Sequence, residues 1–151
     1  MTEIVPFEPE HFDGMELRDP GAVRGYGPGY RELLGRYRQW GPAWTLLQDG
    51  RPVMSGGVVI LWPGVGEAWT LMSKRVSECP LAVVKALKKC IAEAIGKHGL
   101  RRIQATARRG DDRAVALLHV LGFKVEGLMQ RYGPDGEDYY MCGRVVPCKS
   151  S

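Results

Sequence analysis

Asp111-Asp112-Arg113-Ala114-Val115-Ala116-Leu117-Leu118-His119-Val120-Leu121-Gly122-Phe123 is the stretch whose reading decides the fold. It reads as a helix over Asp111–Leu121. Asp111 or Asp112 supplies a side-chain acceptor for the first turn, and Gly122 ends the run. Immediately before it, Ile103–Ala107 reads as a short strand. After it, Lys124–Tyr132 and Asp138–Val145 read as two strands joined through Gly133-Pro134-Asp135-Gly136, where proline fixes one dihedral and glycine frees another.

Further upstream, Pro80–Lys97 reads as the longest helix. Leu81, Val84, Leu87, Ile91, Ala94 and Ile95 recur at three- and four-residue steps, while Lys85, Lys88 and Lys89 lie off that stripe. Pro80 suits the first helical position, and Lys97, His98 and Gly99 suit the end. Glu67–Met72 is expected to be a strand, entered through the turn Trp62–Gly66. Ala43–Leu47 and Val53–Leu61 flank Asp49-Gly50, a strong hairpin signal. Tyr30–Trp40 reads as a helix stopped by Gly41-Pro42, and Glu8–Arg18 as a helix before it. Gly25–Gly29 reads as a linking or substrate-side loop, not a phosphate cradle, because Pro28 has no N–H to give and no strand leads in. Ile4–Phe7 is placed at a sheet edge by Pro6. The order is β-α-α-β-β-β-α-β-α-β-β, an α/β chain with a mixed sheet and helices on its faces. Residues 1–146 are expected to form one domain, and 147–151 a frayed tail.

That order, together with Ala114, Leu117, Gly122 and Phe123 in register, resembles the GNAT acetyltransferase superfamily, whose signature reads N-x-x-A-x-x-L-Y-x-x-x-G-F. The resemblance spans roughly residues 67–145 and implies the GNAT acyl-CoA N-acyltransferase fold, with acetyl-CoA or CoA as cofactor and an amine as acceptor. It implies that Leu71–Ser73 aligns with the family's L-x-V strand, whose freed backbone groups meet the pantetheine arm. It further implies that a glycine-rich turn opening the next helix holds the pyrophosphate on backbone N–H groups. The cofactor-binding positions are then Met72 and Ser73 on the strand, Lys74 and Arg75 as positive charge, Cys79, Leu81, Ala82 and Val83 at the helix start, and Asp111. Glu67, on the strand leading in, is the candidate catalytic base.

The departures from the family pattern are specific. Glu78 stands where the motif has arginine, and Cys79, Leu81 and Val83 stand where it has glycines, so Cβ atoms and an acid occupy an anion's place. Leu118 replaces the tyrosine that acts in many members as acid toward the departing thiolate. His119 lies about 100° round the helix from Leu118 and points elsewhere. Tyr132, Tyr139 and Tyr140 are the nearest alternative phenols. A narrower resemblance is carried by Glu67-Ala68-Trp69, Ser73 and Cys79-Pro80-Leu81-Ala82 opening a lysine-rich helix. It is to a divergent GNAT-like group of tailed bacteriophages and prophages that includes the internal virion protein of T7-like phages. It implies a phage-encoded protein with phage structural proteins as partners.

The 151-residue chain is 44% hydrophobic and 25% charged, as soluble globular domains are. Met1-Thr2-Glu3-Ile4-Val5 lacks a basic, apolar leader, and no apolar run reaches membrane-spanning length. Cys79, Cys90, Cys142 and Cys148 form no C-x-x-C pair, so idle thiols in a reducing cytoplasm are expected and no metal site. Cys79, near Lys74 and Arg75 before a helix start, reads as a packed thiol against the alternative of a reactive one. Between Lys74 and Arg131 there are 13 Lys and Arg against 5 Asp and Glu, a local +8, while the remainder carries −4 within the net +4. A basic half suits an anionic ligand or a nucleic-acid surface. With little aromatic interleaving and no known motif, nucleic acid is the least favoured of three readings, behind acyl transfer and a non-catalytic phage scaffold.

Overall fold

The computed structural model describes residues 1–148, except for the side chains of residues 22, 25, 26 and 28. Residues 149–151 of the expected tail lie outside the described residues. Among the described residues seven strands form one sheet: β1 (Thr2–Pro6), β2 (Ala43–Gln48), β3 (Arg51–Trp62), β4 (Val65–Met72), β5 (Arg102–Arg108), β6 (Lys124–Met129) and β7 (Tyr139–Val145). Their order is β1-β2-β3-β4-β5-β7-β6. Every neighbouring pair is antiparallel except β4 and β5, which run parallel because a helical crossover joins them. Asp49 and Gly50 take φ values of 51° and 78°, the doubly left-handed turn that Asp-Gly favours, and close the β2–β3 hairpin. Pro6 ends β1 at the sheet edge.

Among the described residues three α-helices accompany the sheet: α1 (Tyr30–Arg36), α2 (Pro80–His98) and α3 (Asp112–Val120). Pro80 opens α2, and Gly99 closes it in the left-handed conformation (φ 59°). The buried stripe of α2 runs through Val83, Ala86, Leu87, Cys90, Ile91 and Ala94. Leu81, expected on that stripe, is 85% exposed, because two residues before Val83 is about 200° round the helix. In α3 the Asp111 carboxylate caps the first turn by accepting from the Ala114 N–H at 3.1 Å. These two helices pack with Val53, Val58, Ile103 and Phe123 into the main core on one face of the sheet. A smaller cluster of Phe7, Phe12, Leu34 and Leu71 closes the other face.

The N-terminal third departs from expectation. Glu8–Arg18 is not an α-helix; only Pro9–Phe12 makes a 3-10 turn. Gly25–Gly29 is not an open loop but part of a run of 3-10 turns over Pro20–Gly29, kinked at Gly27 (φ 70°). Prolines and glycines there interrupt any i→i+4 ladder, while shorter i→i+3 turns survive between them.

A buried polar chain ties this segment to the sheet. Thr45 and Ser55, both fully buried, join Oγ1 to Oγ at 2.9 Å, and Thr45 Oγ1 lies 2.6 Å from His11 Nδ1. The Glu8 N–H also donates to His11 Nδ1 at 3.0 Å. Burial lowers the His11 pKa below the usual 6.5, against the upward pull of Glu8 and Glu10. A histidine depressed in the fold binds protons more readily when unfolded. Its stabilising contribution is therefore complete above 6.5 and lost as pH falls through 6.5 toward the lowered folded value. Urea unfolding at about pH 7.5 and about pH 5.5 should show a drop in midpoint that is smaller in His11→Asn. An equal drop in both proteins would assign the loss to other groups.

Candidate functional site: the opening between the two parallel strands

The parallel strands β4 and β5 share three paired positions, Val65 with Arg102, Gly66 with Ile103 and Glu67 with Gln104. Beyond Glu67 they part. β4 continues beside β3 to Met72, and β5 continues beside β7 to Arg108. The result is a V-shaped cleft of about 670 Å³ with Glu67 at its apex. Alternation along β4 puts Glu67, Trp69 and Leu71 on the face of the smaller cluster, and Ala68 and Met72 on the face of the main core.

On the Glu67 side the cleft is walled by aromatic rings. Trp69 meets Phe7 and Tyr37 edge-on at 5.4 and 5.6 Å, and Tyr37 lies 5.7 Å from Trp40. The Trp69 indole fits because its cross-strand partner is Gly57, where a Cβ would sit 2.9 Å from the indole nitrogen. The buried Trp69 N–H has no acceptor among the described residues. Tyr132 and Tyr139 pack at 5.3 Å and close the opposite wall, with Asp19 beside them. Burial, then Glu67 and Tyr37, push the Tyr132 phenol above its usual value. Burial and Glu137 push Tyr139 up, Arg108 pulls it down, and Asp19 and Tyr132 add smaller upward contributions. Glu67, half-buried, enters no ion pair among the described residues. On the other face the lining is apolar: Leu87, Ile91, Ala105, Leu117, Leu118 and Leu121.

Tyr132 reaches the cleft by a turn that the sequence reading missed. The expected strand Lys124–Tyr132 ends at Met129, and Arg131 takes a left-handed φ of 57°. Asp138 holds that turn: its carboxylate accepts from the Arg131 N–H at 3.0 Å, and its carbonyl accepts from the Arg109 N–H at 2.9 Å. Of the other residues considered, Tyr140 packs toward the main core, and His119 is exposed on α3 beside a separate shallow groove.

The nine expected cofactor positions are not brought together around one opening. Met72 and Asp111 line the cleft, Asp111 also serving as the α3 cap. Ser73 is buried, its hydroxyl accepting from the Arg75 N–H at 3.1 Å. Lys74 pairs with Glu16 at 2.6 Å and Arg75 with Glu78 at 3.3 Å. Val83 is core, Ala82 is half-buried and Leu81 faces solvent. Burial and Glu78 push the half-buried Cys79 thiol up against the opposing Arg75, which favours the packed-thiol reading. Lys74–Glu78 forms a 3-10 turn that consumes its own donors: the Val76 N–H goes to Ser73 and the Cys79 N–H to Val76. Among the described residues only the Leu81 and Ala82 N–H groups stand unbonded at the start of α2, after Pro80, which has none. Donors turned inward and cations already paired with acids do not fit the pyrophosphate of acetyl-CoA in the arrangement the resemblance implies.

No family description and no curated protein sequence matches the chain. Solved structures do. Ard1 from Thermoplasma volcanium superposes with a TM-score of 0.78 at 15% identity, covering 97% of this chain and 99% of the other. The GNAT-family acetyltransferase of Streptococcus pneumoniae gives 0.71 at 16% identity, with 97% and 100% covered. A spermidine N-acetyltransferase SpeG chimera from Vibrio cholerae gives 0.74 at 12% identity, with 95% of each covered. The fold is that of the GNAT acetyltransferases. Among the described residues no helix is long and apolar enough to cross a membrane, and no three His, Cys, Asp or Glu side chains cluster as metal ligands would.

Proposed function

We propose that this chain is an acetyltransferase-like protein that keeps the amine-binding half of a GNAT site, in the cleft between β4 and β5. The observation that carries this reading is Glu67: a half-buried carboxylate, without an ion-pair partner among the described residues, at the apex of the cleft, beside Trp69 and within the electrostatic reach of Tyr132. Aromatic faces and a carboxylate together suit an alkylammonium group, which is drawn to ring faces and to negative charge. In this reading Glu67 accepts a proton from that ammonium, which makes the nitrogen nucleophilic. Tyr132 and Tyr139, packed against each other on this face, are the phenols that could return a proton.

The test is acetyl transfer from acetyl-CoA to a panel of primary alkyl amines, read as free thiol. Amine-dependent release is expected. Release that is equal with and without amine removes the transfer reading. The second reading is then a non-catalytic scaffold, the role that the likeness to the phage group implies; the inward-turned donors of Lys74–Glu78 favour it.

A further inference from the structure

The edge that β5 leaves free on β4 is partly covered by the chain itself. Residues Glu16–Arg18 run antiparallel to the end of β4: the Arg18 N–H donates to the Met72 carbonyl at 2.8 Å, and the Lys74 N–H donates to the Glu16 carbonyl at 2.8 Å. Leu17 and Ser73 form the bridge pair between them. The Ser73 N–H points the other way, to Val53 of β3, at 2.9 Å. Backbone groups alternate sides along a strand, so those of Met72 and Lys74 are the ones that face the opening. Side chains fasten the segment. Lys74 Nζ meets Glu16 Oε1 at 2.6 Å, and Leu17 packs against the Phe7, Phe12, Leu34 and Leu71 cluster. Gly14, with φ 73° and open space around it, and Pro20 flank the segment.

We infer that Glu16–Arg18 is a strap occupying the ligand-pairing edge of β4, and that an extended, amide-bearing arm such as that of coenzyme A must displace it to enter. The inference rests on the cleft between β4 and β5 being the working site. An arm with its own amide N–H and C=O groups would satisfy Met72 and Lys74 as the strap does, so the two exclude each other by competing for one donor and one acceptor. The strap shortens the stretch of unpaired edge that β4 presents to the cleft.

The test is a calorimetric titration of coenzyme A into the unmodified protein and into the double variant Glu16→Gln, Leu17→Gly. That variant loses the ion pair and the apolar anchor and keeps every cleft-lining residue. Binding tighter by on the order of tenfold is expected in the variant. In the unmodified protein, coenzyme A at millimolar concentration should speed amide hydrogen exchange at Arg18, whose acceptor it takes. Equal affinity in both proteins, or no binding to either, overturns the strap. So does binding that leaves Arg18 exchange unchanged. If the double variant fails to fold, Glu16→Gln alone carries the affinity comparison. Amine binding by the unmodified protein, which the proposed function requires, is independent of all these outcomes.

Discussion

Exchanging Glu67 for glutamine is expected to lower acetyl transfer to an amine by roughly a hundred- to ten-thousand-fold, the usual contribution of a positioned general base. The substitution keeps shape and hydrogen-bonding reach and removes the proton acceptor. Glu67 is held where the last β4–β5 pair, with Gln104, precedes the parting of the strands, so its backbone is fixed by the sheet. Among the described residues no partnered cation shields its carboxylate. Coenzyme A affinity should be unchanged in the variant, because the groups considered for the cofactor lie toward Met72 and beyond. Rates against amine concentration separate the two possible roles. A rate that stays low at saturating amine marks Glu67 as base, whereas a rate that recovers at saturating amine assigns it to binding alone. Turnover equal to that of the unmodified protein would remove it from the mechanism.

The second large effect concerns the hinge of the V. Ile103 is 0% exposed, pairs with Gly66 across the short parallel ladder, and packs into the main core. Ile103→Ala should cost about 2–5 kcal/mol, the combined loss of transfer free energy and of the contacts around the cavity it leaves. For a chain of this size that corresponds to roughly 4–20 °C in melting temperature. The same loss loosens the three-pair ladder that sets where β4 and β5 separate. Denaturant titration gives the magnitude. A change below about 1 kcal/mol would mean the site collapses around the smaller side chain and does not depend on Ile103 packing.

What the sequence made legible was local. Asp111 and Gly122 bracket α3, Pro80 and Gly99 bracket α2, and Asp49-Gly50 makes the tight hairpin; each signal acts within a few residues of the structure it specifies. The order of elements and the family register then led to the fold. The N-terminal segment was less legible, because its prolines and glycines suppress α-helix without saying that 3-10 turns replace it. Leu81 fitted a run of three-residue steps yet faces solvent, since two such steps before Leu87 carry it about 120° off the buried stripe. Glu67 was legible as a candidate through the register of its strand. Its surroundings were not: Tyr37, Trp69, Tyr132 and Asp19 come from four distant stretches. Tyr132 turns in through a left-handed arginine that no propensity marks. The strap was invisible for a related reason, because three residues are too few to show a period and its partners lie 56 positions away, Leu17 against Ser73.

Calorimetric titration of an alkyl diamine into the protein without any coenzyme, alongside Glu67→Gln, tests the amine-binding cleft most directly. The expected result is saturable one-to-one binding that weakens on the order of tenfold in the variant, as loss of a charge pair in a partly desolvated site requires. Absence of binding to the unmodified protein, or the same affinity in both, would contradict the assignment of the cleft between β4 and β5 as an amine site.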